Sequence, residues 1–324
     1  MSLFDRVVIV DWSAASRPTL GRDSIWIGAL DAAAWRIDWL ENLPTRAAAT
    51  ASLADRLAAW RAAGQRVLVG FDFPLGYPRG VAAALGLAPR WRAVWDLLRD
   101  GLADGADNGC DRFGFAAALN RRMGTPGFPF WGTDRHPRPG LSARKPRPHG
   151  SSDVPERRFC ERRVPKAQSC WKLAYVGAVG SQALTGIPRV SALRDDPRLA
   201  PDARIWPYET GLRELDRASA PPLLLAEVYP SLVPHYELPG RPKDAGQVCA
   251  AAAALAAADA AGAIGALFAG DPALARAERL AVEREEAWIL GVADRPRLDP
   301  APRRPRLPRA AAALGSRGPK RSES

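Results

Sequence analysis

The chain has 324 residues with 47% hydrophobic content, enough apolar surface for a substantial core, so a wholly disordered protein is excluded. Its net charge of +11 is concentrated: residues 135–166 hold ten Lys/Arg against three acids, and residues 301–324 hold seven against one. The rest of the body is close to neutral, so basicity belongs to two Pro-rich segments and not to the fold as a whole.

Met1 runs almost directly into the β-branched stretch Val7-Val8-Ile9-Val10, which predicts a first strand ending at Asp11 and leaves no room for a cleavable leader. Ile25–Leu30 and Trp35–Leu40 read as two more strands, the latter with Trp35, Ile37 and Trp39 at period two. Leu53, Leu57 and Trp60 then fall at helical spacing before Gly64, predicting an amphipathic helix with a glycine stop. Arg66–Asp72 follows as a fourth strand.

The order strand, strand, strand, helix, strand makes the fourth strand a parallel neighbour of the first, because such crossovers close right-handed on one sheet. Asp11 and Asp72 then stand at the same sheet edge. Residues 85–215 read as one large insertion, a cap with helices near 88–100, 112–123 and 168–183 and with the basic loop 135–166. The core is expected over 1–84 and again over 216–295. Its second part carries a buried strand, Leu223–Val228, containing Glu227, and an Ala-rich helix over about 244–268. That helix carries Asp259 at its middle and is too weakly apolar to span a membrane. Residues 296–324 form a Pro/Arg-rich tail expected to be disordered.

Four cysteines at 110, 160, 170 and 249 contain no Cys-x-x-Cys pair and no metal-finger spacing, so a reducing, cytoplasmic setting is expected. The chain lacks Gly-x-Ser-x-Gly, Walker A and Gly-x-Gly-x-x-Gly sequences. Serine-hydrolase chemistry is disfavoured.

What remains is a set of strand-end carboxylates. Two divalent ions sharing a phosphoryl group need several carboxylates from separate elements, with positions left open for substrate and water. Asp11 and Asp72 qualify, and Glu227 joins them if its strand lies beside theirs. A lone Asp after a strand is often only a turn residue, and Asp244, before an Ala-rich run, also reads as an ordinary helix N-cap. Asp259 lies 15 residues beyond Asp244, about 22 Å along a straight helix, and cannot share its site. Glu285 and Glu286 are substitutes that read more simply as a solvated helix face.

The motifs Val10-Asp11-Trp12-Ser13, Gly70-Phe71-Asp72-Phe73-Pro74-Leu75-Gly76, Glu227-Val228-Tyr229-Pro230 and Lys243-Asp244-Ala245 resemble those of the family catalogued as domain of unknown function 429. The similarity covers roughly residues 5–293. It includes Trp171-Lys172-Leu173 through Val179-Gly180-Ser181-Gln182 and the closing Trp288-Ile289-Leu290-Gly291. Members are described as predicted nucleases of ribonuclease H fold, which implies a mixed sheet flanked by helices with the insertion between the fourth and fifth core strands. The resemblance matches Asp11, Asp72, Glu227 and Asp244 to the family's acids and implies Mg²⁺ or Mn²⁺ as cofactor, Asp11 bridging two ions and the others holding them singly.

Nucleic acid is the expected partner. Trp12 would stack on a base or sugar, Ser13 and Lys243 would meet phosphate, and Arg144, Lys145 and Arg147 of the basic loop would grip the backbone. His136, His149 and His235 read as loop residues. Two rivals stay open: an ATP-dependent small-molecule enzyme of the same fold class, and a non-catalytic module that binds nucleic acid or protein through its basic segments.

Overall fold

A computed structural model describes residues 2–134, 136, 138–164, 166–298 and 304–307. Three strands come first: β1 (Arg6–Asp11), β2 (Ile25–Asp31) and β3 (Arg36–Leu43), paired antiparallel in sequence. Helix α1 (Arg46–Ala62) starts where Thr45 accepts a hydrogen bond from the Ala48 N–H, and it ends ahead of Gly64 in the left-handed region. It crosses to β4 (Val67–Phe71), parallel to β1 as the element order requires.

The middle of the chain holds α2 (Val81–Ala84), α3 (Trp91–Gly101), α4 (Arg112–Arg122), a small sheet of β5 (Gly127–Trp131) and β6 (Leu141–Ser142), and α5 (Gly180–Asp195). There follow β7 (Ala203–Ile205), β8 (Leu223–Glu227), α6 (Lys243–Ala260), α7 (Ile264–Leu267) and α8 (Arg276–Ala281). The result is an α/β protein with a mixed six-stranded sheet, in the order β3-β2-β1-β4-β8-β7, flanked by helices.

Period-two alternation divides the strands between two cores. Val8, Val10, Val69, Phe71 and Leu225 face α1, α3, α4 and α5, whereas Val7, Ile9, Leu68, Leu224 and Ala226 face α6. The small side chains of α6 let it lie close against the sheet: a Cβ on Gly28 of β2 would stand 2.9 Å from Val248 Cγ2.

Several expectations are corrected. The helix expected over 168–183 begins only at Gly180, because Trp171–Leu173 is extended and bonded on both sides to Trp131 of the small sheet (3.0 and 2.9 Å). Tyr175 and Gly177, both with positive φ, then turn the chain into α5. The Ala-rich helix stops at Ala260, and Gly262 at φ 72° separates it from α7. A sixth sheet strand, β7, comes from within the stretch read as insertion, its three residues too few to announce a strand. The alternation in β3 is interrupted by a bulge at Asp38, so Ile37 packs on the α6 side while Trp39 packs on the α1 side.

Part of the tail is ordered: residues 304–307 reach the free edge of β3, where Ile37 N–H donates to Arg306 O (2.8 Å) and Arg306 N–H to Trp35 O (3.1 Å). The remainder of the tail expected to be disordered lies outside the described residues. The four cysteines are free, and no described helix is long and apolar enough to cross a membrane.

Candidate functional site

Asp11 is the last residue of β1, Asp72 the first after β4, and Glu227 the last of β8. Val10 is in register with Phe71 and Phe71 with Glu227, so the three strand ends lie side by side at one edge of the sheet. Asp244, in the first turn of α6, comes to the same edge. It does not cap its own helix, whose N-cap position is Pro242; its carboxylate accepts instead from the Asp23 N–H (2.9 Å) in the loop after β1. Asp11, Asp72, Asp23 and Asp244 line one cavity of about 700 Å³, with Arg112 and Lys243 on its other walls.

The electrostatics of this cavity are unbalanced. Burial, followed by the charges of Asp244 and Asp23, pushes the Asp11 carboxyl up to about 8. Burial, followed by Asp11, Glu227 and Asp244, holds Asp72 well above the usual carboxylate range. Among the described residues neither carboxylate receives a protein hydrogen bond or a cationic partner. Such a pair is stable only with a proton or a cation between its members.

Hard oxygen donors of this kind suit a divalent cation such as Mg²⁺ or Mn²⁺. Among the described residues no group of three or more His, Cys, Asp or Glu side chains is placed to hold a metal ion by itself. Mg²⁺ in particular is bound through one or two carboxylates, water and substrate phosphate. Asp11 and Asp72, the two carboxylates without a protein partner, fit that donor set, and Asp244 lines the same cavity beside them.

Glu227 does not. Its two oxygens accept from Arg158 Nη2 (2.6 Å) and Nη1 (2.7 Å), and Oε2 also accepts from the Leu75 N–H (2.9 Å). Arg158 is fully buried, donates to Glu161 (2.7 Å) and to Glu286 O (2.8 Å), and forms the centre of an internal ion network. The expected ligand is therefore an anchor for the Asp72–Leu75 loop, neutralised by a cation from the segment 135–166. Glu286 belongs to the same network, accepting from Phe159 N–H (2.7 Å) and Arg79 N–H (2.8 Å), while Glu285 accepts from Gly80 N–H (3.1 Å). Neither lies on a solvated helix face in the sense expected. Asp259 is likewise structural, its two oxygens holding the N–H groups of Leu3 and Phe4 at 2.7 and 2.9 Å.

Trp12 is buried against Phe73, with ring centroids 5.7 Å apart, and this packing removes it as a stacking platform. Ser13 is also buried; its hydroxyl donates to Asp23 O (2.9 Å) and shapes the loop after β1. Gln182 holds the Trp12 carbonyl (2.6 Å), and buried Arg46 donates to Ala15 O (2.7 Å). The loop that follows Asp11 is thus fixed from both sides.

Lys243 is exposed at the cavity rim. Arg144, Lys145 and Arg147 do not line the cavity. Arg144 is exposed; Lys145 pairs with Glu156 (2.6 Å); Arg147 pairs with Asp153 (2.9 Å) and lies over the Phe128 ring. His149 is tied to Val154 O (2.7 Å) and His235 to Glu237 (2.9 Å). The charged cavity residues not anticipated from sequence are Asp23, Asp134 and Arg112. Asp23 and Asp134 are isolated loop acids and Arg112 one arginine among many, so no local pattern distinguishes them.

No family model, curated protein or solved structure matches this chain.

Proposed function

We propose that the chain is a divalent-metal-dependent hydrolase of phosphodiester bonds, a nuclease of ribonuclease-H-like fold, in keeping with the resemblance of its motifs to those of domain of unknown function 429. The observation that carries this reading is the cleft in which Asp11, Asp72 and Asp244 gather while Asp11 and Asp72 have no protein counter-charge. The antiparallel β1-β2-β3 followed by parallel β4 and β8 is compatible with the fold class.

In this mechanism Asp11 and Asp72, with Asp244 beside them, would hold Mg²⁺ or Mn²⁺, which when bound would activate water and stabilise the leaving oxygen. The protein's own work is positioning. Parallel strands fix Asp11 and Asp72 at neighbouring backbone positions, Arg46 and Gln182 hold the loop after Asp11, and the Arg158–Glu227 pair holds the loop after Asp72. Lys243 at the rim supplies positive charge to an approaching phosphate.

Calorimetric titration of Mn²⁺, with cleavage assays on labelled single- and double-stranded DNA and RNA, tests the reading. Wild type is expected to bind Mn²⁺ and cleave, and Asp72→Asn to lose more than about a hundredfold in cleavage while staying folded. Absence of both Mn²⁺ binding at millimolar concentration and cleavage would overturn it.

A further inference from the structure

The carboxylate cleft also contains a cation with no counter-ion. Arg112, in the first turn of α4, projects into the same cavity as Asp11, Asp72 and Asp244. Its Nε donates to the Ser181 hydroxyl (3.0 Å) and its Nη1 to the Ser16 hydroxyl (2.8 Å); Nη2 makes no hydrogen bond to a described oxygen. Its guanidinium lies 4.6 Å from the Phe113 ring centroid.

Several arginines withdrawn from solvent are matched with acids: Arg46 and Arg189 with Asp104, Arg158 with Glu161 and Glu227, Arg194 with Glu209; Arg66, which forms no ion pair among the described residues, is held by the carbonyls of Leu3 and Ala220 outside the cleft. Among the described residues no carboxylate forms an ion pair with Arg112; the Cys110 side chain and, at longer range, Asp134 attract it, while burial, the largest effect, lowers its pKa. A half-buried guanidinium without an anion is costly, and its planar fork is shaped to take two oxygens of one phosphate or carboxylate. Two hydroxyls orient that fork toward the cavity without neutralising it.

We propose that Arg112, framed by Ser16 and Ser181, is an anion subsite that holds a phosphate of the substrate other than the one being hydrolysed. The cleft then has two poles: an acidic one at the sheet edge, where Asp11 and Asp72 would hold the metal that meets the reacting phosphate, and a basic one at α4, where a neighbouring phosphate docks. The identity of the substrate as a nucleic-acid strand rests on the nuclease reading. The anion subsite does not.

Two measurements on the full chain separate these levels. The first follows thermal stabilisation of the metal-free protein by inorganic phosphate. The second follows binding of a short fluorescent single-stranded oligonucleotide in Ca²⁺ across a salt series. Phosphate should stabilise wild type and not Arg112→Gln. The Gln variant should bind the oligonucleotide about tenfold more weakly, with a salt slope lower by about one. Arg112→Lys should keep the slope but lose affinity, since an ammonium cannot make the bidentate contact, and it serves as the test if the Gln variant fails to fold.

If phosphate stabilises neither protein and both bind the oligonucleotide alike, the subsite is overturned; the nuclease reading survives provided Mn²⁺-dependent cleavage is still lost in Asp72→Asn. If phosphate stabilisation depends on Arg112 while wild type binds no oligonucleotide, the subsite stands and the nucleic-acid substrate falls.

Discussion

Between about pH 4 and pH 8 the folded chain keeps a proton on Asp11 that the unfolded chain has already released, because burial and the neighbouring charges of Asp244 and Asp23 raise that carboxyl to about 8. The folded state therefore binds more protons than the unfolded one across this window, and its stability falls as pH rises through it. Asp11→Asn removes the titration. In a chelating buffer the variant should melt higher than wild type at pH 8, and the gap should close as pH drops toward 4. Added Mn²⁺ should reverse the order at pH 8, since the ion substitutes for the proton in wild type only. A melting difference independent of pH would show that Asp11 is not the group responsible.

At this scale the sequence is a good guide to position and a poor one to partnership. Asp11 and Asp72 are legible because each terminates a β-branched run whose crossover topology dictates the shared edge. Glu227 is equally legible as a strand end. Its role is not, because the arginine that neutralises it lies 69 positions earlier, in a stretch whose composition reads as a solvated loop.

Among the elements, the contact between the segment before α5 and the end of β8 matters most. Arg158 and Glu227 are both nearly inaccessible to water, and removing one partner of such a pair strands the other. Arg158→Met is expected to lose about 3–5 kcal/mol in urea unfolding. Adding Glu227→Gln should give part of that back, because the second change removes the stranded charge. Strict additivity of the two losses would mean that the pair is not coupled. Element boundaries fail for similar non-local reasons: Trp171–Leu173 is extended because Trp131 offers it a backbone partner, and a window of local sequence contains neither.

For the whole molecule, the sheet has one short margin, β7, and one long one, β3, along which residues 304–307 lie. An uncovered edge strand is a template for pairing with another chain. Arg306→Pro deletes the N–H that meets Trp35 O while changing one charge, and it should bring on concentration-dependent self-association in sedimentation velocity. Unchanged sedimentation would show that this short contact does not guard the edge. The parallel pairing of β4 with β1 is readable from element order, whereas β7 and the tail contact are not, since each rests on a few residues recruited by strands already in place.

The position of β8 beside β4 also sets a schedule for synthesis. Val67–Phe71 finds β1 already made on one side, but its other neighbour begins only at Leu223. At ~5–20 residues per second a ribosome needs roughly 8–30 s to cross that interval. Throughout it the nascent chain carries an open, fully apolar strand edge in what becomes the middle of the sheet. A strand buried along its whole length in the finished protein is thus the sheet strand that waits longest, during translation, for its second strand partner.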